Sequence, residues 1–141
     1  MLRELVLLRG GGHDEIVANG VFLMDTRGDA LGDPRVRTDE ADVVQWLADA
    51  PAGSLDAICL DADNDPEWLV APGNARLYAD DGLRAATKVL HLGGVIAIWG
   101  AAPMPAFVAR MEDHFDDVDV TEVPASRGEP DVVVVGRSPR C

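Results

Sequence analysis

Basic residues are scarce in this chain of 141 residues: 12 Lys and Arg stand against 25 Asp and Glu, a formal net charge of −13. A surface of that sign repels a phosphate backbone. The Lys/Arg clusters that DNA or RNA binding needs are missing too, so nucleic acid is excluded as a partner. Cysteine is nearly absent. Cys59 lies in an apolar run and Cys141 is the last residue, which suits a buried thiol and a free tail better than a disulfide. His13, His91 and His114 are scattered. No Cys/His spacing matches a zinc site, so no metal is expected. Nor does any apolar run approach the ~20 residues that span a bilayer. The opening residues lack a basic-then-apolar leader. Together these features set the expectation of a cytoplasmic protein without a membrane partner.

The composition itself is that of a folded domain. Hydrophobic residues make up 48% and charged residues 26%, which excludes wholesale disorder, and the length suits one domain. The acidic surface has two readings. It favours a cationic small ligand such as a polyamine, or it simply maintains solubility.

Along the chain, Arg3–Arg9 and Asp14–Met24 are rich in Leu, Val, Ile and Phe, with Gly10-Gly11-Gly12 between them. Two such runs about a short glycine loop predict a β-hairpin, and Asn19-Gly20 adds a second turn signal. No helical pattern follows Gly10–Gly12, so that run reads as a turn rather than a phosphate cradle. Residues 25–38 are polar and aperiodic, a connector. Asp39–Ala50 carries Val43, Val44, Trp46 and Leu47 among acidic residues, a short amphipathic helix ended by Pro51 and Gly53. Leu55–Leu60 is a short apolar run suited to a strand covered on both faces. Residues 61–79 form a long acidic loop. Asp81–Leu90 predicts a helix stopped by Gly93-Gly94, Val95–Ala101 a strand, and Ala106–Phe115 a helix led in by Pro103 and Pro105. Val118–Val123 and Val132–Val135 predict two closing strands. This alternation predicts an α/β layered sheet.

The chemistry-bearing candidates cluster after the Leu55–Leu60 strand. Asp61, Asp63 and Asp65 place three carboxylates within five residues. Such crowding raises at least one pKa or requires a cationic partner, which gives an amine-binding rationale. The alternative is a solvated turn, since Asp and Asn initiate turns. Trp68 and Tyr78 flank the loop and suit an aromatic wall for a cation or purine, or the packing of a long loop. Asn74 and Arg76 suit ties between loop and sheet.

Three segments resemble the spermidine/spermine synthase branch of the S-adenosylmethionine-dependent methyltransferases. They are Asn19-Gly20-Val21-Phe22-Leu23-Met24-Asp25; Asp33-Pro34-Arg35-Val36-Arg37 with Asp42 and Trp46-Leu47; and Leu60-Asp61-Ala62-Asp63-Asn64-Asp65-Pro66 with Trp68-Leu69, Asn74–Tyr78 and Gly82-Leu83. The resemblance implies a Rossmann-like α/β sheet, of about four strands here, preceded by an N-terminal β-hairpin: residues 1–25 as hairpin and 26–141 as the α/β domain. It implies Asp61 and Asp63 as the catalytic carboxylates that deprotonate and hold an attacking amine. Asp65, Trp68 and Tyr78 would bind that substrate, and Asp42 would accept from the adenine amino group.

The family's first strand, glycine-rich nucleotide turn, following helix and ribose-binding strand end have no counterpart here. Met24-Asp25 runs almost directly into Leu31-Gly32-Asp33-Pro34. The chain thus resembles an internally shortened member, with no cofactor expected to remain bound. Two functions follow: a non-catalytic binding or dimeric assembly module, or an enzyme using the Asp61/Asp63 loop on an amine-bearing substrate across a rebuilt dimer site. A homodimer is expected because loss of the first strand would leave Asp56–Leu60 as an open sheet edge; the alternative is that the N-terminal hairpin folds over that edge itself and leaves a monomer.

Overall fold

The computed structural model describes residues 5–8, 42–60, 73, 75–126 and 128–140. In chain order the elements are β1 (Leu5–Leu8), α1 (Val43–Asp49), β2 (Leu55–Leu60), α2 (Ala75–Tyr78), α3 (Asp80–Val89), β3 (Leu90–Gly100), α4 (Pro105–His114), β4 (Phe115–Val123) and β5 (Asp131–Pro139). The five strands form one sheet in the order β1-β2-β3-β5-β4. β1, β2 and β3 are mutually parallel, and β5 runs antiparallel to both β3 and β4.

Local chemistry accounts for the helices. Asp42 caps α1, its Oδ1 accepting from the Gln45 backbone N–H at 2.9 Å, one of the orphan donors of a helix start. Val43 and Leu47, four apart, bury one stripe. Ala50 turns extended ahead of Pro51, and Gly53 takes φ +65°, a left-handed turn that glycine adopts at little cost. Pro105 opens α4, where a missing N–H costs nothing. Phe107, Met111 and His114 then line its buried side at helical spacing.

The core lies on one face of the sheet. Ile58 and Leu60 of β2, Ile96 and Ile98 of β3, and Val132 and Val134 of β5 alternate inward with period two. They meet Leu47 of α1, Leu83, Ala86 and Val89 of α3, and Phe107 and Met111 of α4. Gly136 of β5 sits beneath α4, where a Cβ would lie 2.8 Å from Met111 Cε and 2.8 Å from Phe115 Cγ. Residues of opposite parity, including Cys59, Ala97, Trp99, Val133 and Val135, are half-buried.

Several expectations change here. β2 is not a sheet edge: β1 pairs along it from Leu5↔Ala57 to Leu8↔Leu60. The open edge on which a homodimer was expected is covered by this chain's own N-terminal strand. That strand therefore belongs to the main sheet and does not stand apart from it. The second hairpin arm, residues 14–24, lies outside the described residues. Gly93-Gly94 does not stop a helix. α3 ends at Val89 because Leu90 turns extended (φ −70°, ψ 140°) and enters β3 directly. The two glycines lie in a bulge instead: Leu55↔Leu90 is followed by Ala57↔Val95, so β3 accommodates extra residues there, with Gly93 at φ +83°. The closing strands are longer than their apolar stretches, beginning at Phe115 and Asp131.

Candidate functional site

In an open α/β sheet, ligands sit beyond the carboxyl ends of the parallel strands. β2 is flanked on both sides by parallel strands. Leu60 ends it, and Asp61 is the next residue in the chain. The acidic candidates thus begin at the end of a central parallel strand. Asp61, Asp63, Asp65 and Trp68 themselves lie outside the described residues.

The remaining two candidates are described, and each has a structural task. Asp42 is exposed and holds the α1 N-terminus through Oδ1. Tyr78, the last residue of α2, is 2% exposed and meets Phe107 edge-to-face, with centroids 5.8 Å apart and planes at 85°, a favoured aromatic geometry. Its ring faces the core cluster.

The elbow that returns the chain from the acidic segment into α3 is heavily tied. Arg110 of α4 donates from Nη1 to the Tyr78 carbonyl at 2.8 Å. Asp80 follows at the start of α3, where a carboxylate suits the positive end of the helix dipole. His114 Nε2 lies 3.2 Å from Asp80 Oδ1, and Arg110 Nε lies 4.0 Å from the same oxygen. The hydrogen bond from His114 is the first cause, with the His114 and Arg110 charges adding to it, that holds the Asp80 carboxyl below its ordinary pKa. Gly82 closes the elbow: a Cβ there would overlap the backbone carbonyls of Arg76 and Leu77. Periodicity places His114 on the inward side of α4. Its pairing with Asp80, 34 positions earlier, has no local signal.

A second acid–histidine pair lies elsewhere. His91 Nε2 is 2.7 Å from Asp56 Oδ1, whose side chain is 12% exposed. The His91 Nδ1 approaches the Leu92 carbonyl at 2.5 Å. Asp56 stands four residues before the end of β2, about 13 Å along a strand, so this pair sits toward the opposite end of the strand. It ties β2 to the β3 bulge. Cys59 is a half-buried free thiol whose pKa burial pushes up, the opposite of what a reactive nucleophile needs. Among the described residues no group of His, Cys, Asp or Glu is placed to hold a metal ion. No helix among them is long and apolar enough to cross a membrane.

No protein-family model matches the chain, and no curated protein does. Solved structures do. A spermidine synthase solved with the transition-state analogue AdoDATO superposes with a TM-score of 0.74 at 16% identity, over 95% of this chain and 54% of that one. The Thermotoga maritima spermidine synthase gives a TM-score of 0.66 at 15% identity, over 94% of this chain and 44% of that one. This chain has a spermidine synthase-like methyltransferase fold. An Archaeoglobus fulgidus S-adenosylmethionine-dependent methyltransferase agrees, with a TM-score of 0.59 at 13% identity, over 96% of this chain and 86% of that one. The chain spans about half the length of the spermidine synthases it matches. The spermidine synthase-like fold is therefore complete enough to form a sheet, while much of the length of those synthases has no counterpart here.

Proposed function

We propose that this chain is a spermidine synthase-like module, internally shortened, that has lost S-adenosyl cofactor binding and acts by binding or by dimeric assembly rather than by group transfer. The observation that carries this is the engagement of Asp42. The residue that the resemblance assigns to the adenine amino group uses Oδ1 to cap its own helix. The family's glycine turn, which gives close backbone approach to the nucleotide, has no matching residues in the sequence. The chain's length, about half that of the matched synthases, agrees with the loss.

Calorimetric titration with S-adenosylmethionine, its decarboxylated form, methylthioadenosine and putrescine tests the proposal directly. Heats from none of the adenosyl ligands are expected. Saturable binding of decarboxylated S-adenosylmethionine, with turnover on putrescine at about one per second or faster, overturns it. Assembly is read by sedimentation velocity. A species near twice 15.0 kDa supports a homodimer, and a single species at 15.0 kDa removes that part of the proposal.

A second reading is favoured by one observation, the central parallel position of β2. Open α/β sheets bind ligands beyond the carboxyl ends of such strands, which supports the Asp61, Asp63 and Asp65 run, next in the sequence after Leu60, as the site. On this reading the loop takes a polyamine-like amine, with Asp61 and Asp63 as proton acceptors, Asp65 and Trp68 lining the substrate site, and a dimer rebuilding what the single chain lacks; Tyr78, buried against Phe107, supports the loop from the core. Putrescine binding in the same titration, absent adenosyl binding, distinguishes it as an amine site without transfer chemistry.

A further inference from the structure

At the end of the sheet opposite β1, β4 is the outermost strand. Its inner side pairs with β5 throughout, from Phe115↔Pro139 to Val123↔Asp131. Its second half is uncovered on both faces: every residue from Asp119 to Val123 is exposed, with Val120 at 43% and Val123 at 44%. A strand with one paired side and exposed side chains presents a row of backbone donors and acceptors to any incoming strand. Its charge is of a single sign. Asp116 and Asp117 are matched by Arg140 at 2.8 Å and Arg137 at 3.1 Å. Among the described residues Asp119 and Glu122 have no ion-pair partner.

We propose that β4 is a docking edge for an extended cationic peptide segment, which adds as a sixth strand by backbone pairing. Asp119 and Val123 share one face of β4, and Val118, Val120 and Glu122 the other, so each face of the incoming strand sets one Lys or Arg against a carboxylate and apolar residues against the valines beside it. Charge complementarity selects this occupant over a second copy of the chain. A copy would bring another set of the same carboxylates to one seam, and like charges across paired strands are destabilising. The inference is independent of the amine site and of cofactor loss, because β4 lies beyond β3 and β5 from β2.

The test uses the full chain and a blocked peptide of about ten residues repeating Lys-Lys-Val-Val (the Lys-Val peptide), so that each face carries both types, with a Glu-Glu-Val-Val counterpart (the Glu-Val peptide) as control. Binding is followed by fluorescence anisotropy, and amide exchange of Val118–Val123 is read with and without peptide. Expected are saturable binding of the Lys-Val peptide, slowed exchange confined to β4, and a loss of affinity of about tenfold or more in Asp119→Lys/Glu122→Lys. Both residues are exposed, so the variant folds, and Asp119→Asn/Glu122→Gln gives an intermediate loss. Three results overturn the proposal: equal binding of the Glu-Val peptide, no slowed exchange at about 1 mM Lys-Val peptide, or β4 amides already protected in a species of twice the chain mass.

Discussion

Arg110 and Tyr78 meet through the backbone: the guanidinium donates to the tyrosine carbonyl at 2.8 Å across 32 positions of sequence. The same guanidinium reaches Asp80, so one side chain of α4 holds both the last residue of α2 and the first of α3. Replacing Arg110 with Ala frees that carbonyl and removes a charge-assisted bond. A loss of about 1 kcal/mol is expected, below the usual range of about 1.5–3 kcal/mol for hydrogen bonds to charged groups because the side chain is 40% exposed. Urea unfolding checks it. A change below about 0.3 kcal/mol would make the contact incidental.

Three glycines make a graded series. At Gly82 an added Cβ overlaps the rigid carbonyls of Arg76 and Leu77, so Gly82→Ala displaces the elbow and costs about 3 kcal/mol or more. At Gly136 the nearest atom is the flexible end of Met111, but the Phe115 ring is equally close, and about 1–3 kcal/mol is expected. Gly53 has open space and φ +65°, so Gly53→Ala carries only the left-handed backbone penalty of about 1 kcal/mol. Denaturant midpoints that fail to rank Gly82 as the costliest would contradict the described elbow.

Acid stability follows from Asp80. Its folded pKa is lowered by His114, then by Arg110 and Arg84. Its stabilising contribution is therefore present above the unfolded value, about 3.9, and is lost as pH falls through the lower folded one. Asp80→Asn should unfold with a shallower pH dependence below about pH 4, while the two proteins keep a constant difference near neutrality. Parallel pH profiles through the acid range would refute the pairing.

Asp42→Ala separates capping from ligand binding. Loss of the bond to the Gln45 N–H should cost about 1 kcal/mol. Asp42→Ser restores an oxygen acceptor and should recover most of it. If either variant changed the affinity for an adenosyl ligand, the proposed loss of cofactor binding would fail.

Paired substitution of Asp61 and Asp63 by Asn addresses the amine reading. Charge-assisted contacts are worth about 1.5–3 kcal/mol each, so a parent that binds putrescine should weaken by at least about tenfold while its melting curve is retained. Unchanged affinity leaves the acidic run as a turn.

Much of the element order is legible in the residues. Val43 and Leu47 four apart, Pro105 before an amphipathic run, and alternating Val in 132–135 each signal their element through local spacing. The caps and stops at Asp42, Pro51 and Gly53 act on the backbone within a few residues, so they too can be read in one dimension. The ends of β4 and β5 could not. Asp116, Asp117, Arg137 and Ser138 carry no strand propensity, and they are extended because their neighbours across the ladder are. Likewise Asp80, Arg110 and His114 converge only after α3 and α4 pack side by side.

Composition, charge and period determined by themselves that this is an acidic α/β chain whose acidic run follows an apolar strand, because these are properties of residue type and local repeat. Which strand lies beside β2 was decided by tertiary structure alone. Leu5–Leu8 is as apolar as any hairpin arm, and nothing in its four residues names a partner. Backbone hydrogen bonds are indifferent to sequence distance, so the unpaired edge of β2 takes whichever extended segment the chain brings to it. Here that segment is the N-terminus, pairing Leu5 with Ala57. The edge at β4 is exposed on both faces from Asp119 to Val123, where no described element reaches across to cover it.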